Sequence, residues 1–183
     1  MSTDTRTLPL ASGLWTLDTL HSQVSFTIRH LGVSKVRGRF NAFDAALDVG
    51  DGIDDTTVTA VIDVNSLDTG NKDRDAHVLS PDFLHGEQHP EIRFASTRIV
   101  GEEGDWVLAG DVTINGVTRD FEFPVEFGGI GDFNGEQHAG FSAAGDLRRS
   151  DFGLDFGPLA EAGLGKVVRF EIDLQFAQPN TAA

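Results

Sequence analysis

Cysteine is absent from this 183-residue sequence, so its chemistry rests on six histidines, 14 lysines and arginines and 29 acids. Disulfides, thiolate metal sites and cysteine nucleophiles are thereby excluded. His77, His85 and His89 are close enough in the chain to suggest a metal set. The string HGEQH is not the HExxH helix that aligns two imidazoles beside a general base, since Glu87 stands between the histidines and Gly86 and Pro90 disfavour a helix. No metal is therefore expected, and a chelator should leave the melting temperature unchanged. The acidic run DGIDD, Asp51 to Asp55, lacks the liganding positions and closing Glu of a calcium loop and reads as a solvated turn. GLGK, Gly163 to Lys166, lacks the long glycine loop and following Ser or Thr of a phosphate-binding loop. There is no GxSxG elbow or dinucleotide fingerprint, and Asp18 with His21 is a pair without a nucleophile. The expectation is a binding protein and no enzyme; the catalytic alternative would use His30 or His77 as acid or base on a bound ligand.

Five cationic or titratable side chains are candidates for the edge of an apolar interior. His30 shares the parity of Val24, Phe26 and Ile28, so it projects inward at the end of an apolar row. It either donates to the polar end of a ligand near a pocket mouth or is satisfied by backbone near Gly32. Arg119 shares the inward parity of Val117 and Phe121, where it would pair with a phosphate or polarise a carbonyl, or else snorkel from the rim into water. Arg74 and His77, three apart on a short helix, and His21 with Ser22 form a polar latch around the opening or merely tie their own segments down.

The elements that must hold these groups are strands, because several segments alternate with a period of two. Val168, Phe170, Ile172, Leu174 and Phe176 share one face, Val24, Phe26 and Ile28 another, and Val58, Ala60, Ile62 and Val64 a third. Ile92 with Phe94, and Phe141 with Ala143 and Leu147, add two more. Asn115-Gly116 is the strongest local signal, since a two-residue type I′ turn needs positive φ at both positions. That turn pairs Ile114 with Val117, Leu108 with Phe123 and Trp106 with Val125, leaving Thr118, Asp120, Glu122 and Glu126 outside. The apolar parity changes between Phe40 and Phe43, which predicts a bulge or bend. One short helix is expected from about Lys72 to Leu79, capped by Asn71 and stopped before Pro81. The spacing gives eight or nine antiparallel strands in a single domain over residues 12–177, with 1–11 and 178–183 loose. Ala60, Gly110, Ala143 and Gly145 lie beside Phe in the inward rows and leave room for something other than side chains. On that reading Gly110→Phe should block a channel. Eight-stranded barrels can hold one small ligand.

A formal net charge of -15 repels phosphate backbones, and anionic membranes, over most of the surface, so nucleic acid is not an expected partner. No apolar stretch approaches the ~20 residues of a membrane span. The first 15 residues, with one Arg, lack the apolar run of a secretory signal, which predicts a cytoplasmic protein. Of the aromatics, 14 are Phe and two Trp, with no Tyr, so the aromatic surface carries almost no hydroxyl.

The runs WTLDTLHSQVSFTIRHLGVSKVRGRF, Trp15 to Phe40, and TGNKDRDAHVLSPDFLHGEQHPEIRFAST, Thr69 to Thr97, resemble the YceI-like family of lipocalin-like polyisoprenoid-binding proteins. Gly110 to Val125 and RSDFGL, Arg149 to Leu154, continue the resemblance in order, so that it covers about residues 14–176. The sequence departs from the family at His89, where an aromatic commonly precedes Pro90, and at His85, where an acid or amide is common. The resemblance implies an all-β, extended antiparallel barrel of about eight strands whose elongated apolar pocket takes an isoprenoid quinone, a polyprenyl lipid or a similar long chain, with no established catalysis and no other cofactor. As a set, Phe26, Phe94, Phe121, Phe123, Phe141 and Phe170 then line a lipid channel, with Ile28 and Leu108 on the same faces and His30, Arg74, His77 and Arg119 at its polar end. The protein would store, shield or carry its ligand, and a homodimer is compatible with that role.

Overall fold

The two-residue period becomes eleven strands and two helices in a computed structural model that describes residues 7–102 and 104–179. The strands are β1 (Gly13–Leu17), β2 (Gln23–His30), β3 (Ser34–Phe40), β4 (Phe43–Val49), β5 (Thr57–Asp63) and β6 (Leu67–Asp68). They continue as β7 (Glu91–Glu102), β8 (Asp105–Ile114), β9 (Val117–Phe133), β10 (Glu136–Arg148) and β11 (Leu164–Ala177). Helix α1 (Lys72–Leu79) precedes β7 and α2 (Pro158–Gly163) precedes β11.

Pairing is antiparallel and joins chain neighbours except where β1 pairs β4, β3 pairs β6 and β5 pairs β7, until β11 closes on the beginning of the chain. One edge of β11 carries β1 near its end, with Thr16 opposite Ala177, and β2 along the rest, with Phe26 opposite Phe170. β1 and β2 are thus two halves of one stave, as are β3 with β4 and β5 with β6, because β1 pairs β4, β2 pairs β3 and β3 pairs β6. Counted this way the barrel has eight staves. The expected bend between Phe40 and Phe43 is the β3–β4 break. The β1–β2 break is held by Asp18, whose carbonyl accepts from the Ser22 hydroxyl at 2.6 Å, while that hydroxyl accepts from the Gln175 amide at 3.0 Å.

The Asn115-Gly116 hairpin has the register its sequence requires, with Ile114 opposite Val117, Leu108 opposite Phe123 and Trp106 opposite Val125. Both turn residues have positive φ, 54° and 71°. Helix α1 begins at Asn71, whose side chain accepts from the Arg74 amide at 3.0 Å. Helix α2 is not foreseen by the period; its signal is Pro158 at the first turn after Gly157. One end of the barrel is sealed by Trp15, Leu47, Val49, Ala139 and Phe176, with Leu10 against them. Leu8 packs at the same end beside Ile53, Ile99 and Trp106. Residues 1–6 and 180–183 of the two ends expected to be loose lie outside the described residues.

Candidate ligand-binding cavity

The inward rows of all eight staves face one cavity of about 630 Å³, which falls within the usual range of pockets that enclose small ligands. Its deep wall includes Leu8, Leu47, Ile99, Trp106 and Phe176, and its opposite end includes His30, Arg74, His77, Phe83 and Leu159. Leu164 and Phe176 of β11 both lie on the wall. At ~3.3 Å per residue they are about 40 Å apart along the strand, or roughly 30 Å along an axis from which strands tilt by ~40°. The cavity is therefore a long slot, closed by the tryptophans and open where α1, α2 and the β2–β3 turn meet.

Three glycines shape the slot in a way the sequence pattern does not reveal. Phe26 lies opposite Gly38 and Phe170 opposite Gly145, and Phe94 reaches across to Gly110. A Cβ on Gly145 would come within 2.6 Å of the Phe170 ring, and at Gly38 and Gly110 the rings of Phe26 and Phe94 likewise occupy the space of the missing Cβ. Each glycine thus lets a neighbouring ring lie back on the wall. The expectation that small residues leave room directly is corrected at Gly110 and Gly145, where rings take that room, while Ala60 and Ala143 stand on the cavity wall. The design Gly110→Phe fails for the same reason, since a Cβ there would also overlap the Ala95 carbonyl oxygen and disturb β7–β8 pairing instead of blocking a channel.

Two of the seated rings, Phe94 and Phe170, belong to an aromatic cluster on the wall, and Phe26 packs on Phe40 at 5.6 Å. Phe123 is 5.6 Å from Phe94, 5.9 Å from Phe121 and 5.7 Å from Phe170 between ring centres, and Phe141 stands 5.3 Å from Phe127 nearer the sealed end. Of the residues singled out from sequence, Phe26, Ile28, His30, Arg74, His77, Phe94, Leu108, Phe121, Phe123, Phe141 and Phe170 all line the cavity. Arg119 does not. It lies opposite Val112, a wall residue, but its long side chain is exposed and donates to the Thr118 carbonyl at 3.0 Å, the snorkelling arrangement. His21 and Ser22 belong to the β1–β2 break and not to the opening, His21 Nδ1 lying 2.7 Å from Asp18. That hydrogen bond, together with the Leu20 amide, holds the Asp18 carboxyl below its ordinary value.

Arg74 lines the mouth while its guanidinium donates to the Thr69 hydroxyl and carbonyl, both at 2.7 Å. Thr69 in turn donates from its amide and hydroxyl to Asp75, so the loop after β6 and α1 form one polar block. Asp68, just before it, has its carboxyl held low by the Gly70 amide, Asn41 and Arg39. His77 lies 3.3 Å from Asp82 and edge-on to Phe83 at 4.8 Å. His89, one of the two family departures, packs against the hairpin turn, where a Cβ on Gly116 would come within 3.0 Å of its ring. His85 has a left-handed φ of 48° and meets His89 edge-on at 6.3 Å. Among the described residues, no three His, Asp or Glu side chains converge as a metal site, and no helix is long and apolar enough to cross a membrane.

The most deeply built polar group on the wall is not among the residues singled out from sequence, although it continues the inward parity of Phe141, Ala143 and Leu147. Arg149, 4% exposed, donates to the Gly165 and Leu154 carbonyls, both at 2.7 Å, and to Glu161 at 3.1 Å. Its guanidinium also lies 4.9 Å from the centre of the Phe156 ring. It binds the turn after β10, the start of β11 and α2 into one rim.

A YceI-like domain model matches residues 15–176. A UPF0312 protein of Staphylococcus epidermidis is 40% identical over 171 residues, covering 89% of this chain and 96% of the relative, and one from Staphylococcus aureus is 38% identical over the same shares. Among solved structures, Burkholderia cenocepacia BcnA superposes with a TM-score of 0.75 at 21% identity, covering 87% of this chain and 98% of that one. A polyisoprenoid-binding domain from Saccharophagus degradans has a TM-score of 0.71 at 13% identity, over 90% of this chain and 98% of that one. The closed eight-stave barrel and the matched length of sequence lead to one assignment: the chain belongs to the YceI-like family.

Proposed function

We propose that this protein binds a single long-chain apolar ligand, an isoprenoid quinone, a polyprenyl lipid or a similar molecule, and stores, shields or carries it. The observation that carries this reading is the slot itself, whose wall is mainly apolar from the tryptophan floor upward, with His30, Arg74, His77 and Arg149 gathered at the open end while Asp44 and Arg93 touch it midway. Such polarity suits a ligand with a long hydrocarbon tail and one polar head. Support also comes from the polyisoprenoid-binding description of a structural neighbour with the same fold. Binding without catalysis is the reading favoured by the mouth, where Arg74 is already engaged by Thr69 and Arg149 by carbonyls and Glu161.

Removal of the tail from water supplies the affinity. At ~0.3 kcal/mol per heavy atom, a chain of about 20 carbons gives roughly 6 kcal/mol, a dissociation constant of tens of micromolar, and longer tails bind more tightly until the slot is filled. The test is denaturation of the purified protein, solvent extraction and mass spectrometry of the extract. One long-chain lipid per protein is expected. Lipid-free protein from several hosts that also fails to take up a long-chain quinone or polyprenol would refute the proposal.

A further inference from the structure

The chain's charge is not spread evenly. Residues 19–43 contain Arg29, Lys35, Arg37 and Arg39 and no acid, a local charge of +4 in a protein of net -15. They form the β2–β3 hairpin, whose turn stands at the open end of the barrel. Arg29 pairs opposite Lys35 and Thr27 opposite Arg37, so these cations make an outward row beside the mouth. Arg39 is matched by Asp68 at 3.2 Å, but Arg29, Lys35 and Arg37 are exposed above it.

The tip between them is apolar. Leu31 is 62% exposed and Val33 82% exposed, and Leu159 of α2, itself on the cavity wall, is 92% exposed. The turn is joined to α2, because the Leu31 amide donates to the Gly163 carbonyl at 2.6 Å. Leu31 also has a φ of 52°, a left-handed conformation that Gly and Asn adopt at little cost and a bulky side chain does not. Solubility and backbone preference both argue for Asn or Gly at this position, and the chain places Leu there.

We propose that the mouth docks onto an anionic bilayer, with Leu31, Val33 and Leu159 entering the interface and Arg29, Lys35 and Arg37 facing the headgroups. Charge complementarity selects this occupant: the rest of the protein, at -19 once residues 19–43 are set aside, is repelled by the same surface and so turns the hairpin toward it. The arrangement brings the open end of the slot to the hydrocarbon, so a tail passes between bilayer and cavity along apolar surface. This purpose rests on the carrier reading; the docking does not, and it is measured without reference to cargo.

The test is flotation of full-length protein of known lipid content with vesicles of phosphatidylcholine alone or phosphatidylcholine with phosphatidylglycerol. Expected are flotation with the anionic vesicles, little with the neutral ones, and a loss of about tenfold or more in high salt. Lys35→Glu with Arg37→Glu should weaken binding similarly. Leu31→Asn with Val33→Ser should melt at or above the parent temperature yet lose the anionic vesicles, which separates docking from folding. Equal flotation on both vesicles, none on either, or unchanged binding by the Leu31→Asn, Val33→Ser protein would overturn the proposal. A concentration-dependent dimer abolished by that variant, without vesicle binding, would assign the tip to a second copy instead. Protein that docks but neither carries nor takes up a long-chain lipid supports this inference while refuting the carrier reading, and protein that takes up lipid but does not dock does the opposite.

Discussion

Gly110 and Gly145 both seat a phenylalanine, but their neighbours differ in what can give way. Around a Cβ on Gly145 the nearest atoms are ring atoms of Phe170, at 2.6 and 2.7 Å, whereas at Gly110 the Ala95 carbonyl oxygen is also in the way. Either change to Ala should cost about 1–3 kcal/mol as overpacking. Phe170→Leu should recover most of the loss in Gly145→Ala, while Phe94→Leu should recover little in Gly110→Ala, and urea melts of the two double-mutant cycles read the difference. Asp18 gives a prediction in pH. Its carboxyl titrates below its ordinary 3.8 because His21 and the Leu20 amide bind the charged form. Its contribution is therefore present above pH 3.8 and is lost as pH falls through the lower folded value. Asp18→Asn should be less stable than the parent at neutral pH, and the gap should close in acid denaturation series below pH 3.8.

The hairpin and α1 are the elements whose sequence is most nearly self-sufficient. Asn115-Gly116 specifies its turn, and Asn71 caps its helix, because each uses groups only a few residues away. Helix α2 is different: its main tie is Arg149, whose partners Glu161, Leu154 and Gly165 meet only when the rim assembles. Parity along β10 carries the inward row of Phe141, Ala143 and Leu147 on to Arg149, but it does not reveal the carbonyls and the acid that satisfy a charge there. Breaking this group by Arg149→Met should cost about 3 kcal/mol or more, since it leaves buried carbonyls unpartnered, although Glu161 can regain water. Glu161→Gln should cost less than Arg149→Met in the same urea melts. Hydrogen exchange should speed up at α2 and the start of β11 before it does so in the hairpin. The glycine seats were illegible for a similar reason. Which Phe meets which Gly depends on neighbouring staves, and in the Phe170–Gly145 case the two residues are 25 positions apart.

Across the whole molecule the slot was readable as rows of inward residues, and the resemblance supplied its expected use as a channel, but its true bore was set by packing. With Gly110→Phe excluded as a plug, Ala143 is the better site, for it lies on the cavity wall between Val125 and Ile172 of the adjoining staves. Ala143→Phe should lower affinity for a long polyprenol more than for a short one while the protein stays folded, as titrations with both would show. A large loss of thermal stability with unchanged length preference would mark that wall as packed core. The closure of β11 onto β1 and β2 has a separate consequence, for folding. Every other pairing between staves spans a much shorter stretch of chain, although β1 with β4, β3 with β6 and β5 with β7 still close loops of tens of residues. The seam alone must bring together residues such as Thr16 and Ala177, and its loop entropy is lost late and all at once. Linking the two chain ends and opening new ones at the exposed Asn134-Gly135 turn would make the seam local and the β9–β10 ladder distant. Such a circular permutant should reach the same barrel, with its slowest refolding step moved from the first stave to the new break.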